Sequence, residues 1–189
     1  MYFEMDIVKT HIPGLVILTP RRFGDERGFF SESWNRKVLS GLGIEIDFVQ
    51  DNHSLSRAVG TVRGLHYQSP PHAQAKLVRC GRGRIFDVAV DVREGSPTFG
   101  QWYGLELSFE NGRQLMIPEG FLHGFMTLEP DSEIIYKCSD YYAPECDGSV
   151  RFDDPDIGIE WPLSGVQFTV SAKDRDARSF SDFQSPFSY

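Results

Sequence analysis

Apolar residues recur along this chain in short runs separated by Gly, Pro, Asn and Asp, a punctuation that predicts strands rather than helices. Runs at 15–18, 48–51, 62–68, 75–79, 84–91, 100–107, 114–117, 121–127 and 133–138 qualify. Within 84–91, Phe86, Val88 and Val90 alternate with Ile85, Asp87, Ala89 and Asp91, so one face of that strand is the more apolar. Glu110-Asn111-Gly112 marks a turn between two such runs. Helix is confined to 33–40 and a turn or two within 172–178. Residues 179–189 are polar and Ser-rich, which reads as a loose tail or an arm docked on the surface. Many short antiparallel strands close as a sandwich or a barrel.

Composition narrows the class. A chain of 189 residues suffices for one domain with a substantial core, spanning 1–189 with 175–189 as the tail or arm. A hydrophobic fraction of 40% with 15 Phe fits a globular protein. A net charge of −8 argues against a nucleic-acid surface, so any phosphate must be held by a few placed Arg and Lys. The apolar runs are too short to span a bilayer, and the first residues lack the basic and apolar regions of a signal peptide. The expectation is a cytoplasmic protein without membrane contact. Cys80, Cys138 and Cys146 form no Cys-x-x-Cys pair and read as reduced thiols, not as a disulfide framework or a zinc site.

Candidate chemistry concentrates in 62–68, where one expected strand carries Arg63, His66 and Gln68. Such groups need partners once they leave water. A histidine beside a guanidinium on a rigid element suggests a site that binds an anion and moves a proton. A half-exposed strand whose polar face meets water would carry the same residues. Strict alternation adds a conflict, because Arg63 and His66 lie three positions apart and so face opposite sides. One pocket receives both if Gly64 allows a bulge, if Arg63 reaches around the strand end, or if the pocket lies near a subunit boundary.

Gly112, Pro118, Gly120 and His123 follow a Gly-x5-Pro-x-Gly-x2-His spacing that resembles the second half-motif of the cupins. The fold this implies is all-β, a double-stranded β-helix (jelly roll) with a few short helices and an interior pocket. Pro118 and Gly120 shape a turn, and the next strand turns His123 inward with Phe121 and Phe125. Metal-binding cupins also carry a His-x-His pair and a later Glu. Here those places hold His66-Tyr67-Gln68 and Lys76, and a protonated Lys has no lone pair for a metal, so no metal site is expected. His72, in a Ser-Pro-Pro-His-Ala loop, reads as solvated.

A longer series of segments is more specific. It includes Phe23-Gly24-Asp25-Glu26-Arg27-Gly28, Gln50-Asp51-Asn52-His53-Ser54, Arg63-Gly64-Leu65-His66-Tyr67-Gln68 and Ala75-Lys76-Leu77-Val78-Arg79. It continues with Ile117-Pro118-Glu119-Gly120-Phe121-Leu122-His123-Gly124-Phe125, Tyr136-Lys137, Asp140-Tyr141-Tyr142 and Ser171-Ala172-Lys173-Asp174. In this order the chain resembles the dTDP-4-dehydrorhamnose 3,5-epimerase family from about Thr10 to Asp174.

The resemblance implies a cofactor-free enzyme that inverts both carbons flanking the ketone of a dTDP-4-keto-6-deoxy sugar, on the route to L-rhamnose. Those carbons are acidified by the carbonyl. The reaction therefore needs a base on one face, an electrophile for the enolate oxygen and an acid on the other face. By resemblance, His66 is the base, Asp174 orients it, Lys76 faces the oxyanion and Tyr136 donates the proton, with Tyr142 the alternative acid. Arg27 and Arg63 become diphosphate ligands, Glu32, Gln50, Asp51 and Asn52 shape base and sugar contacts, and His123 lines the pocket beside Lys76. Asp147, where the family often has Glu, and Lys173 are further substrate contacts. The family's dimers imply a homodimer, with Arg27 serving either its own chain's site or that of the neighbouring subunit.

Plainer roles remain open for some of these residues. Tyr136 alternates with Ile134 and Cys138 and also reads as a core filler, and the clusters 25–27 and 173–176 also read as solvated charge. Rival functions are a single-centre epimerase of a related dTDP-sugar, a sugar-nucleotide binding module without catalysis, and a metal-dependent cupin oxygenase. Joint presence of His66, Lys76, Tyr136 and Asp174 argues against the binding module, since binding needs no acid–base set.

Overall fold

Alternation of buried and exposed positions builds the molecule, a computed structural model that describes residues 5–163, 165 and 167–189. In chain order the elements are β1 (Met5–Lys9), β2 (Val16–Pro20), β3 (Phe23–Asp25), β4 (Gly28–Phe30), α1 (Arg36–Gly41), β5 (Gln50–Ser56) and β6 (Thr61–Gln68). Next come β7 (Lys76–Arg82), β8 (Arg84–Asp91), β9 (Arg93–Glu94), β10 (Trp102–Ser108), β11 (Gln114–Ile117) and β12 (Phe121–Thr127). The last are β13 (Ser132–Cys138), β14 (Asp147–Ser149), β15 (Thr169–Val170), α2 (Ala172–Arg175) and β16 (Phe187–Ser188).

One sheet has the order β1-β2-β11-β7-β13-β5 and the facing sheet β10-β8-β12-β6-β14, with β15 added parallel to β6. Non-sequential neighbours in both sheets give the jelly roll that the resemblance of 112–123 to the cupins implies. Between the sheets lie Val78, Cys80, Leu115, Ile117 and Ile134 from one and Ile85, Ala89, Leu105, Phe121 and Phe125 from the other. Each fully buried Leu, Ile or Phe contributes about 1.5–3 kcal/mol.

The more apolar face of β8, with Val88 and Val90, turns outward, against a second core that includes Phe152, Ile157 and Phe187. Its weaker face, with Ile85 and Ala89, lines the interior, and there Asp87 is 0% exposed. A sheet face covered by later chain needs no polar pattern, which is why the stronger face points away from the barrel.

Several boundaries differ from expectation for local reasons. The helix expected at 33–40 begins at Arg36, because Asn35 is extended and its side chain accepts from the Lys37 and Val38 N–H groups as an N-cap. The helix expected within 172–178 ends at Arg175 after one turn, capped by Ser171. The strand expected at 48–51 runs on to Ser56, with Gln50, Asn52 and Ser54 less exposed than Asp51, His53 and Leu55. The strand expected at 100–107 starts at Trp102, since the Asp91 carboxylate accepts from Ser96 and Thr98 and holds 96–100 in a turn. Residues 180–187 pack on the outer core through Phe180, Phe183 and Phe187, and Phe187 pairs with Arg93 in parallel, which is a docked arm.

Candidate active site

The site is organised by an irregularity in β6. On β12, His123 pairs with His66 and Phe125 pairs with Arg63, so three steps on β6 match two on β12. The extra residue is accommodated at Gly64, at φ +134, where a Cβ would lie 2.6 Å from the Gly124 Cα. Because His123 and Phe125 share one face of β12, Arg63 and His66 share one face of β6. Of the three ways to reconcile them, the chain uses the Gly64 bulge.

His66 Nε2 and Asp174 Oδ1 are 2.6 Å apart. Asp174 is 3% exposed and is fixed from three sides: its Oδ2 accepts from the Gly64 N–H, its own N–H donates to Ser171 Oγ, and its Oδ1 meets the ring. Burial opposes its ionisation, but hydrogen bonding and charge from His66, with the Gly64 and Ser171 bonds, outweigh it and hold the carboxyl below its ordinary value. An ionised Asp174 holds the imidazole proton on Nε2 and leaves the lone pair on Nδ1, as a base requires.

A cavity of about 430 Å³ opens beside His66. Lys76, which shares the interior face of β7 with Val78 and Cys80, reaches it, as does Tyr136 from β13. Burial pushes the Lys76 ammonium below its ordinary value against the opposing influence of Cys138, Asp147 and Asp87. Burial also raises the Tyr136 phenol, so it stays protonated. Gln50, Asn52, Tyr142, Asp147 and Lys173 complete the expected set on these walls. Lys173 pairs with Asp147, and the Tyr142 hydroxyl donates to Asp147 Oδ2 at 3.4 Å.

Four expected residues lie off both this cavity and the pocket that adjoins it. Arg27 sits on the β3–β4 hairpin, its side chain 85% exposed and paired with Asp25. Glu32 follows that hairpin and does not line the cavity. Asp51 points to the outer face of β5, where Lys137 Nζ lies 3.0 Å away, because alternation from Gln50 and Asn52 sends it there. His123 faces inward as expected but is buried, its Nε2 3.0 Å from Asp87 Oδ2, and does not line the cavity. Arg63 lines an adjoining pocket of about 360 Å³ that shares His66, Lys173 and Asp174. Its guanidinium donates to Ser56 Oγ at 3.1 Å and to the Leu55 carbonyl at 3.2 Å.

Sequence reasoning missed Tyr67, Gln74 and Cys138 as lining residues, and gave Gln68, one of the polar groups of 62–68, no role beyond that of a missing metal ligand. For Cys138 the signal was available, since it alternates with Tyr136. Asn52 Nδ2 approaches its sulfur at 3.5 Å. Among the described residues, no three or more His, Cys, Asp or Glu cluster in a way that could hold a metal ion.

A His–Asp pair, a desolvated ammonium and a protonated phenol around one cavity form an acid–base set suited to carbon acids beside a carbonyl. The family model for dTDP-4-dehydrorhamnose 3,5-epimerase matches residues 9–182. The chain belongs to this family. It is 55% identical over 174 residues to the dTDP-4-dehydrorhamnose 3,5-epimerase of Salmonella typhimurium, covering 92% of this chain and 94% of that one. Among solved structures it is similar to the dTDP-6-deoxy-D-glucose-3,5-epimerase of Legionella pneumophila in complex with dTDP-4-keto-L-rhamnose, with a TM-score of 0.93 and 48% identity, covering 98% of this chain and 100% of that one. It is also similar to the dTDP-4-dehydrorhamnose 3,5-epimerase of Bacillus anthracis with TDP and PPi bound, with a TM-score of 0.91 and 46% identity, covering 94% of this chain and 100% of that one. Membership places the chain among carbohydrate epimerases of dTDP-rhamnose biosynthesis with a cupin-type jelly roll.

Proposed function

We propose that this epimerase inverts C3 and C5 of dTDP-4-dehydro-6-deoxy-D-glucose with His66 as base and Tyr136 as acid. The observation that carries the mechanism is the 2.6 Å His66–Asp174 pair opening onto the cavity that Lys76 and Tyr136 also line. His66 Nδ1 takes the proton beside the C4 ketone, Asp174 stabilises the imidazolium that forms, and the Lys76 ammonium meets the developing enolate oxygen where little water screens it. Tyr136 returns a proton to the opposite face. Arg63 and Lys173 lie where they can hold the diphosphate, and the exposed Tyr142 ring at the mouth offers a stacking face for the base.

We further infer a homodimer in which the Arg27 hairpin reaches the neighbouring subunit's cavity. Among the described residues, the Arg27 side chain pairs with Asp25, and Phe29 and Phe30 beside it are exposed. The three free, buried cysteines accord with a reducing cytoplasm. The deciding experiment incubates the protein with dTDP-4-keto-6-deoxy-D-glucose in deuterated buffer. Label at both ring carbons, with rhamnose formed once a reductase is added, is expected. Label at one carbon would establish a single-centre epimerase instead, and no label would leave only a binding module.

A further inference from the structure

Gln68 lies in the cavity wall two residues beyond His66 and is 5% exposed, yet its amide faces protein partners. Its Nε2 donates to the carbonyls of His72 and of Tyr141, the latter at 2.9 Å, and its Oε1 accepts from the Ala143 N–H at 2.9 Å. Both amide protons are thereby used, so Gln68 has no donor left for a ligand. The segment it grips, 140–143, has no regular secondary structure. Two other glutamines hold the same segment: Gln74 Nε2 donates to the Asp140 carbonyl at 2.8 Å, and Gln50 Oε1 accepts from the Tyr142 N–H at 2.9 Å. Tyr142, 57% exposed, is the aromatic ring this segment presents at the cavity mouth.

We propose that Gln68 is a positioning residue that sets affinity for the nucleotide by clamping 140–143 and with it the Tyr142 ring. The inference rests on the sugar-nucleotide reading above. A ring on a loop without a strand ladder must be ordered before it can receive a base, and a pre-clamped loop carries that entropy cost in folding instead of in binding. The strand position that bears the second histidine of a metal cupin is used here as a loop clamp. Because the clamp stops at the mouth, it acts on binding while the His66–Asp174 pair runs the chemistry unchanged.

The test measures dTDP affinity by calorimetry, and kcat and KM by the epimerase assay, in wild type, Gln68→Met, Tyr142→Ala and the double variant. Gln68→Met keeps the shape and removes all three bonds. It is expected to weaken dTDP binding and raise KM by about tenfold, with kcat within about threefold. In the Tyr142→Ala background the same change is expected to cost less than about twofold, because the ring it positions is gone. Gln74→Met, which loses one bond to the same segment, is expected to show a smaller KM rise and serves if Gln68→Met does not fold. Unchanged dTDP affinity and KM in both glutamine variants would overturn the inference, as would full additivity with Tyr142→Ala. A wild-type protein that binds no dTDP would instead overturn the sugar-nucleotide reading itself.

Discussion

His66 and Asp174 are 108 residues apart in sequence and 2.6 Å apart in space, and the carboxylate side chain is 4% exposed where the ring is 33% exposed. The anion is thus the fixed partner and the imidazole the one that meets the cavity. Asp174→Asn keeps the size but lets the amide hold the wrong tautomer, and it removes the charge that the proposed mechanism uses to stabilise the imidazolium. A fall in kcat on the order of 10²–10⁴ is expected, with KM little changed. Wild-type KM with wild-type kcat in this variant would show that Asp174 does not orient the base.

The same carboxylate predicts a pH dependence of stability. Its folded pKa lies below the ordinary value, so the stability it contributes is present above the unfolded carboxylate pKa and is lost as pH falls through the folded one. Urea titrations at pH 7 and at acid pH are expected to show Asp174→Asn less stable than wild type at pH 7. That gap should shrink below the unfolded carboxylate pKa of about 4. A gap that widens in acid would contradict an ionised Asp174.

Lys76 is the one cation whose pKa burial clearly lowers among the described residues. The proposed mechanism needs it charged against the enolate, so the alkaline limb of kcat is expected to begin below the ordinary lysine value. Lys76→Met should lower kcat by on the order of 10²–10³ and abolish that limb. Retention of the limb in the Met variant would assign it to another group.

Most of the fold was legible because alternation and turn residues are local signals. The His–Asp pair was not legible from spacing and came only through the family resemblance, since contact across 108 positions is fixed by topology. The conflict between Arg63 and His66 was visible, but its solution was not. A bulge depends on which backbone lies opposite, and only the β12 register shows that Gly124 sits against Gly64. Asp51 and His123 were assigned by resemblance to a cavity that alternation and burial then placed them outside. The C-terminal arm was read as polar because its three Phe are spaced among Ser, and docking depends on those rings alone.

That bulge yields its own prediction. Gly64→Ala places a methyl 2.6 Å from the Gly124 Cα at φ +134, a conformation L-residues rarely adopt. Backbone would have to move, at about 1–3 kcal/mol or more, and the move displaces both Arg63 and His66. A lower melting temperature with lost exchange at both carbons is expected. A folded variant with wild-type exchange would show that the offset between Arg63 and His66 is not needed for the site.

The arm can be tested separately from the chemistry. Phe187 is 7% exposed in the outer core, and the Tyr67 ring meets Phe183 and Phe187 edge-on at 5.3 and 6.1 Å. Tyr67 follows His66 on β6, so the arm packs against the strand that carries His66. Phe187→Ala is expected to cost about 3–5 kcal/mol through lost burial and a residual cavity. For a chain of this size that is a fall in Tm of roughly 6–20 °C. Calorimetric scans check it: an unchanged Tm would mean that the arm lies on the barrel without contributing to its cooperative unit, and a separate low-temperature transition would mean that it undocks before the sheets melt.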